Sequence, residues 1–218
     1  MIVENDELRD KLLFKPPAYT YPGDCPICCL PLSLDLRQST VADCCSKIIC
    51  NGCNHANQMR ELKESLQPKC AFCRKPNPST NSQREKQRRI RIEANDPIAL
   101  CHEGVEQLKK GNNRKAHEYL TRAAELGDVE AHFKLSESYV VGRGVEKDRA
   151  KEIFHLEEAA IGGHPIARYN LGCQESHNRN AARTVQHFII AACQGHDGAV
   201  KALLDLFKRG FVVKDDLA

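Results

Sequence analysis

The chain has 218 residues, of which 41% are hydrophobic and 28% charged, with a formal net charge of +3. That length holds one or two domains with a modest apolar core, and so small a net charge points to neither nucleic acid nor an anionic membrane. No stretch approaches the roughly 18 apolar residues that a membrane-spanning helix needs, so no span is expected.

Residues 1–21 are expected to be a disordered leader, because Pro16, Pro17 and Pro22 discourage regular structure. This segment is acidic at its start and lacks an apolar run of the kind that marks secretion. Eight of the twelve cysteines then fall in four pairs between Cys25 and Cys73: Cys25 and Cys28, Cys44 and Cys45, Cys50 and Cys53, Cys70 and Cys73. Clustering of this kind argues for thiolates in a reducing compartment, cytoplasm or nucleus, rather than a disulfide scaffold. A C-x-x-C pair on a tight turn brings two sulfurs onto one ion, and tetrahedral zinc takes four such ligands. Eight thiols therefore predict two Zn2+ ions in a module spanning residues 22–78. His55, two residues past Cys53, competes with one of the adjacent cysteines Cys44 and Cys45 as a ligand of the second ion, or is a polar residue at a helix start. Cys29 reads as a spare thiol, since no motif supplies the base that a nucleophilic cysteine needs.

Within the module, HANQMRELKESLQ predicts a helix with Met59, Leu62 and Leu66 on one apolar face. The polar, proline-bearing stretch PNPSTNSQ marks a boundary, and residues 79–94 read as a charged linker helix around REKQRRIRIE. Its basic run, Arg84 to Arg91, has three readings: a solvated helix face, a nuclear localisation or nucleic-acid contact, or a contact with an acidic partner. The chain has no tryptophan and little aromatic interleaving, so stacking on bases has scant support and nucleic acid is not an expected partner.

From residue 95 to 218 the chain repeats itself. The quartets DPIA, DVEA, HPIA and HDGA begin at Asp96, Asp128, His164 and His196, with offsets of 32, 36 and 32 residues, and AAELG, AAIGG and AACQG precede the last three of them. A period in this range is the signature of stacked helix pairs. Asp96 and Asp128 are placed to cap helices and Pro97 and Pro165 to open them. The Ala-Ala pairs let helices approach closely, and Gly127, Gly163 and Gly195 can take the left-handed conformation that ends a helix. The middle repeat's four extra residues fall in the turn GRGVEKD (142–148). The fourth repeat stops after one helix and part of a second. Cys101, Cys173 and Cys193 read as small buried hydrophobes. Cys173 and His177 sit one helical turn apart, as in half a metal site, but the sequence offers them no partner, and the histidines of the repeats are assigned to packing and surface roles.

The repeat region resembles the SEL-one-like repeats, relatives of the tetratricopeptide repeats. The resemblance rests on AHFKLSESYVVGRGVEKD (131–148) followed by AAIGG, and only the middle repeat carries the full G-x-G-V-x-x-D turn. It implies an all-α solenoid of helix-turn-helix repeats that binds other proteins and has no catalytic residues of its own. The order of the cysteine pairs resembles the all-cysteine variant of the RING finger, a small zinc-stabilised α+β fold. That resemblance implies a cross-brace, with Cys25, Cys28, Cys50 and Cys53 holding one ion and Cys44, Cys45, Cys70 and Cys73 the other. It also implies ubiquitin ligase activity without a catalytic nucleophile: the finger docks a ubiquitin-conjugating enzyme through Ile27, Phe72 and the basic Arg74, and the repeats recruit a protein substrate. Two positions depart from the family pattern. Ala71 replaces the usual proline, and Asn57 stands where the central helix usually offers a large apolar residue. The competing expectation is a non-enzymatic scaffold in which Ile27 and Phe72 merely pack the zinc-bound core.

Overall fold

The computed structural model describes residues 2–17 and 21–212. The chain forms two compact units, one of Pro22–Ala131 and the other of Met1–Tyr21 together with His132–Ala218. The first holds the cysteine-rich segment. There a short antiparallel ribbon pairs β1 (Ser39–Val41) with β2 (Ile48–Cys50) in the register Ser39↔Cys50, Thr40↔Ile49 and Val41↔Ile48. Helix α2 (Asn51–Lys63) follows directly from β2, and Cys50 caps it by accepting the Cys53 N–H on its sulfur at 3.4 Å. This helix starts four residues before the predicted stretch, and its apolar face does not turn inward. Met59, Leu62 and Leu66 are all exposed, while the residue α2 buries is Glu61. Among the described residues the buried aliphatic side chains beside the cysteines are Leu32 and Ile49, with Ala42, Ile48 and Ala71 partly buried against them, a small apolar core for the segment.

Helix α3 (Asn81–Glu93) is capped by Thr80, whose hydroxyl accepts from the Gln83 N–H at 3.2 Å. It packs on α4 (Pro97–Lys109), and α4 packs along α5 (Asn113–Glu125). The basic run of α3 is a solvated face except at Arg88 and, in part, Arg91. Arg88 is buried and ion-paired to Glu103 on α4 at 3.0 Å, with Asp43 of the β1–β2 turn at 3.7 Å. Arg84 reaches the same aspartate at 3.9 Å, and Arg91 pairs with Asp96. The acidic partner of these three arginines lies in the same unit, because residues 84, 88 and 91 share one face of a helix. Lys86 and Arg89 remain exposed.

In the second unit, α1 (Ile2–Leu13) appears where the sequence predicts a disordered leader. Leu13 is 1% exposed, in a cluster with Phe133, Leu156, Ala159, Ala160, Ala167 and Leu171. Local signals in residues 1–21 are weak, so this helix depends on a long-range contact that propensity does not report. Residues 1 and 18–20 of the leader lie outside the described residues, as do 213–218, where the second helix of the fourth repeat is expected. The remaining helices are α6 (Val129–Val141), which begins in the first unit, then α7 (Arg149–Ile161), α8 (Pro165–His177), α9 (Ala181–Cys193) and α10 (Asp197–Lys208).

All four quartets open helices as expected, and the cap is more general than the aspartates alone. Asp96 Oδ1 accepts from the N–H groups of Ile98 and Ala99, and Asp128 Oδ1 from Ala131. His164 and His196 do the same through Nδ1, accepting from Ala167 at 3.2 Å and Ala199 at 3.1 Å. Gly127, Gly163 and Gly195 have φ of 84°, 89° and 85°, the left-handed conformation that ends the preceding helix. Small residues inside the repeats have a second use. A Cβ on Gly104 would lie 2.7 Å from Leu120, and one on Gly172 would lie 2.6 Å from Phe188, so glycine is what lets each helix pair close.

Candidate metal centre

Three of the four cysteine pairs sit on tight turns, and the third along the chain, Cys50 and Cys53, sits at the junction of β2 and α2. In the first, the Cys25 N–H donates to Leu30 O and the Cys29 N–H to Cys25 O, each at 2.9 Å, and Asp24 bridges Pro31. The fourth pair repeats the device: the Cys70 N–H donates to Lys75 O at 2.8 Å, the Arg74 N–H to Cys70 O at 3.1 Å, and Lys69 bridges Pro76. The residue after each pair, Cys29 or Arg74, has φ of 56° or 63°, because the chain must reverse at once behind the second sulfur. Adjacent Cys44 and Cys45 lie in the tight β1–β2 turn. There the N–H groups of Cys45 and Ser46 both donate to Ala42 O, and Ser46 takes φ of 56°.

These turns converge in two clusters. Cys25, Cys28, Cys50 and Cys53 form one, Cys44, Cys45, Cys70 and Cys73 the other, and within each cluster all sulfurs lie within 4.8 Å of one another. Cys28 and Cys50 sulfurs are 3.9 Å apart, Cys44 and Cys73 are 3.3 Å apart, and Cys45 and Cys70 are 4.0 Å apart. Four thiolates around zinc at about 2.3 Å place sulfurs about 3.8 Å from each other, so both clusters fit a structural zinc ion. Burial raises the Cys25 thiol, but backbone N–H groups of Cys28, Cys50 and Ile27 aimed at its sulfur bring it down to about 6. Burial pushes Cys45 up to about 11, and the contact with Cys50, followed by burial, pushes Cys53 to about 12. Thiols held this close ionise together only with a cation between them. Four thiolates would complete a tetrahedral shell at each cluster, the donor set of a structural zinc site. His55 is exposed and belongs to neither cluster, whereas the adjacent cysteines both enter the second. Cys29 is exposed and outside both.

The clusters interleave along the chain, first pair with third and second with fourth. Of the three residues expected to face a partner, Ile27 is 42% and Phe72 41% exposed, so neither packs the metal-bound core. Lys47 Nζ stands 5.8 Å from the centre of the Phe72 ring. Arg74 is tied back to α2: Nη1 donates to Asn57 Oδ1 at 2.7 Å, and Nη2 is 3.6 Å from Glu61. Asn57 Nδ2 donates to Lys69 O at 3.1 Å, and Glu61 Oε1 accepts from the Lys69 N–H at 3.2 Å. The two residues, one turn apart on α2, thus clamp the fourth-pair turn. Glu61 escapes sequence reasoning because an isolated acidic residue among Arg60 and Lys63 reads as solvated. Its spacing of four from Asn57 is the available signal.

The family model for the Sel1 repeat matches residues 99–128, 129–164 and 165–196. These are the three helix pairs α4/α5, α6/α7 and α8/α9. Residues 99–196 are Sel1 repeats. A solved Sel1 repeat protein from Oxalobacter formigenes is 27% identical over 56% of this chain and 97% of its own, with a TM-score of 0.52. No curated protein matches the chain. The cysteine clusters lie outside the matched residues, and no helix among the described residues is long and apolar enough to cross a membrane.

Inside the Sel1 repeats the predicted small buried cysteines divide. Cys101 is buried, Cys173 is half-buried and Cys193 is exposed, because Cys193 is the last residue of α9 and lies past its packed face. Cys173 and His177 do not pair as ligands, since His177 Nδ1 contacts the Cys173 carbonyl at 2.6 Å. His187 lies on the buried face of α9, which the sequence marks only by its position between Thr184 and Phe188.

Proposed function

We propose that this chain is a RING-type ubiquitin ligase whose two-zinc finger docks a charged conjugating enzyme and whose Sel1 repeats recruit the substrate. Sel1 repeats are a module of protein–protein contact, so the second half acts as a scaffold. The observation that carries the ligase reading is the exposure of Ile27 and Phe72 on a finger whose cysteine clusters interleave. Apolar side chains on the rims of two metal-bound turns, with no role in the small core, are suited to a partner surface.

Cys25, Cys28, Cys50 and Cys53 would hold one zinc ion, and Cys44, Cys45, Cys70 and Cys73 the other. When bound, the ions supply the cross-links that fix these turns relative to α2. In the transfer itself, a substrate amine attacks the thioester carbonyl between ubiquitin and the conjugating enzyme. An amide forms and the carbon–sulfur bond breaks, so no nucleophile of this chain is needed. Ile27 and Phe72 supply the apolar contact. Arg74, held at one end by Asn57 and Glu61, presents a planar donor to the bound pair. That tether also favours the competing reading, a scaffold without activity, because it occupies part of the guanidinium. Autoubiquitination with a panel of conjugating enzymes decides between them. Transfer by the wild-type chain, reduced at least tenfold by Arg74→Ala with zinc content unchanged, supports the ligase. No transfer with any conjugating enzyme leaves the scaffold.

A further inference from the structure

Helix α1 lies across α7, α8 and α9 and touches each through a different kind of contact. Leu13 enters a floor of small residues, Ala159, Ala160 and Ala167, between Phe133 and Leu171. Arg9, one turn earlier on the same face, reaches α7, with Nε 2.6 Å from Glu157 and Nη1 3.1 Å from Glu158. Asp10 and Phe14, again one turn apart, face α9. Asp10 accepts from Arg183 Nη1 at 2.6 Å, and the Phe14 ring packs between the Arg183 guanidinium, 4.8 Å from the ring centre, and the His187 ring at 4.7 Å. From α8, Arg168 donates to the carbonyl of Leu13 and, at 2.7 Å, to the carbonyl of Ala160.

Arg168 is the reason to regard this as a recognition site and not as ordinary packing. It is fully buried, has no carboxylate partner among the described residues and leaves Nε without a hydrogen bond there. What compensates its charge is the carbonyl end of two helices, α1 and α7, where the helix dipole is negative. Beside it His187 is also fully buried, and neither of its ring nitrogens has a hydrogen-bond partner among the described residues. The groove therefore holds polar capacity that α1 does not use. Meanwhile the described contacts of this segment come from one short stretch, residues 9–14. Its flanking ion pairs are partly solvated, with Asp10 53% and Arg9 34% exposed, and such pairs contribute little. Leu8 and Leu12 stay exposed. Pro16 and Pro17 end the segment directly after Lys15, so the contact is a short cassette, Arg-Asp-x-x-Leu-Phe, from Arg9 to Phe14.

We propose that the groove across α7, α8 and α9 is a recognition site for a short helical peptide, and that residues 9–14 are its resident, exchangeable ligand in cis. The partner segment carries a basic and an acidic residue side by side, one helical turn before an adjacent pair of large apolar residues, and ends its helix there so that a free carbonyl meets Arg168. A tethered ligand competes at an effective concentration that a free peptide must exceed, so the cis helix sets the threshold for partner binding. This inference stands apart from ligase activity and is read by binding alone.

The test uses the full chain and a fluorescent peptide of residues 2–17. Reversing the flanking charges in the chain, Arg9→Glu with Asp10→Arg, places the cis helix against like charge at Glu157, Glu158 and Arg183. That chain should bind the wild-type peptide at least tenfold more tightly than the unaltered chain does. Adding Arg183→Glu to it should weaken binding at least tenfold. Equal binding by the two chains, or none by either, overturns the proposal. Hydrogen exchange on the unaltered chain covers the case of a misfolded variant. Amides of Leu13 and Phe14 should exchange at least a hundredfold faster than that of Leu171, because α1 opens with the repeats intact. Exchange at the same rate as Leu171 makes α1 a fixed part of the core and overturns the proposal.

Discussion

A buried histidine without a hydrogen bond is costly to protonate, and His187 shows how that cost becomes a pH dependence. Burial, reinforced by the neighbouring charges of Arg168 and Arg183, lowers it to about 3. In the unfolded chain it titrates near about 6.5. Between those values the unfolded state binds the extra proton, so stability is fully present above pH 6.5 and is lost as pH falls toward 3. Each pH unit in that window weighs about 1.4 kcal/mol, which gives a loss of about 2 kcal/mol between pH 6.5 and pH 5. Asp128, in the other unit, works in the opposite direction. Burial raises it to about 6, so acid relieves a penalty there. Denaturation of the His187→Phe chain, followed through α8 and α9, should show a flatter pH dependence than wild type. An unchanged slope would mean that His187 is not the titrating group. Sequence reasoning reached the capping aspartates at this scale, because an aspartate before a helix has a local signature. It did not reach His164 and His196 as caps, or His187 as core, since an imidazole serves in either role and only the packing decides.

At the scale of elements, the repeats were the most legible part, because their period, their Ala-Ala pairs and their helix-ending glycines all encode one packing rule. The convergence of the cysteines into two clusters was legible for a similar reason, as paired cysteines leave few ways to bring four sulfurs together. Helix α3 was not. Its arginines look solvated in sequence, and Arg88 turns inward only because Asp43 and Glu103 are brought in from two separate stretches. Arg88 therefore cements the turn that bears Cys44 and Cys45 to α3 and α4, with His102 also 3.3 Å from Asp43. Removing one member of a buried charge cluster strands the others, at a cost of about 3 kcal/mol. Arg88→Met should lower the stability of the first unit by that amount in a denaturant titration, with metal content unchanged. A loss below about 0.5 kcal/mol would show that the cluster is solvated in solution. Met59, Leu62 and Leu66 taught the converse: the apolar stripe of α2 faces outward, and the interior beside it is lined by the cysteine clusters.

For the molecule as a whole, the division into two units changes what metal removal should do. Residues 22–78 share a unit with α3, α4 and α5. Strong chelation should expose amides of residues 22–78 to exchange and loosen α3 through Asp43, while amides of α8 and α9 keep their protection. Loss of protection throughout α8 and α9 would show that the repeats depend on the metal. The proposed ligase reading and its partner residues rest on the metal count. Among the described residues the core beside the cysteines buries Leu32 and Ile49, with Ala42, Ile48 and Ala71 at its edge, whereas structural zinc contributes on the order of 10–16 kcal/mol of apparent binding energy in small fingers. The most direct measurement is the metal content of the purified chain. Two equivalents of zinc per chain are predicted, and one or none would contradict the paired clusters on which the account rests.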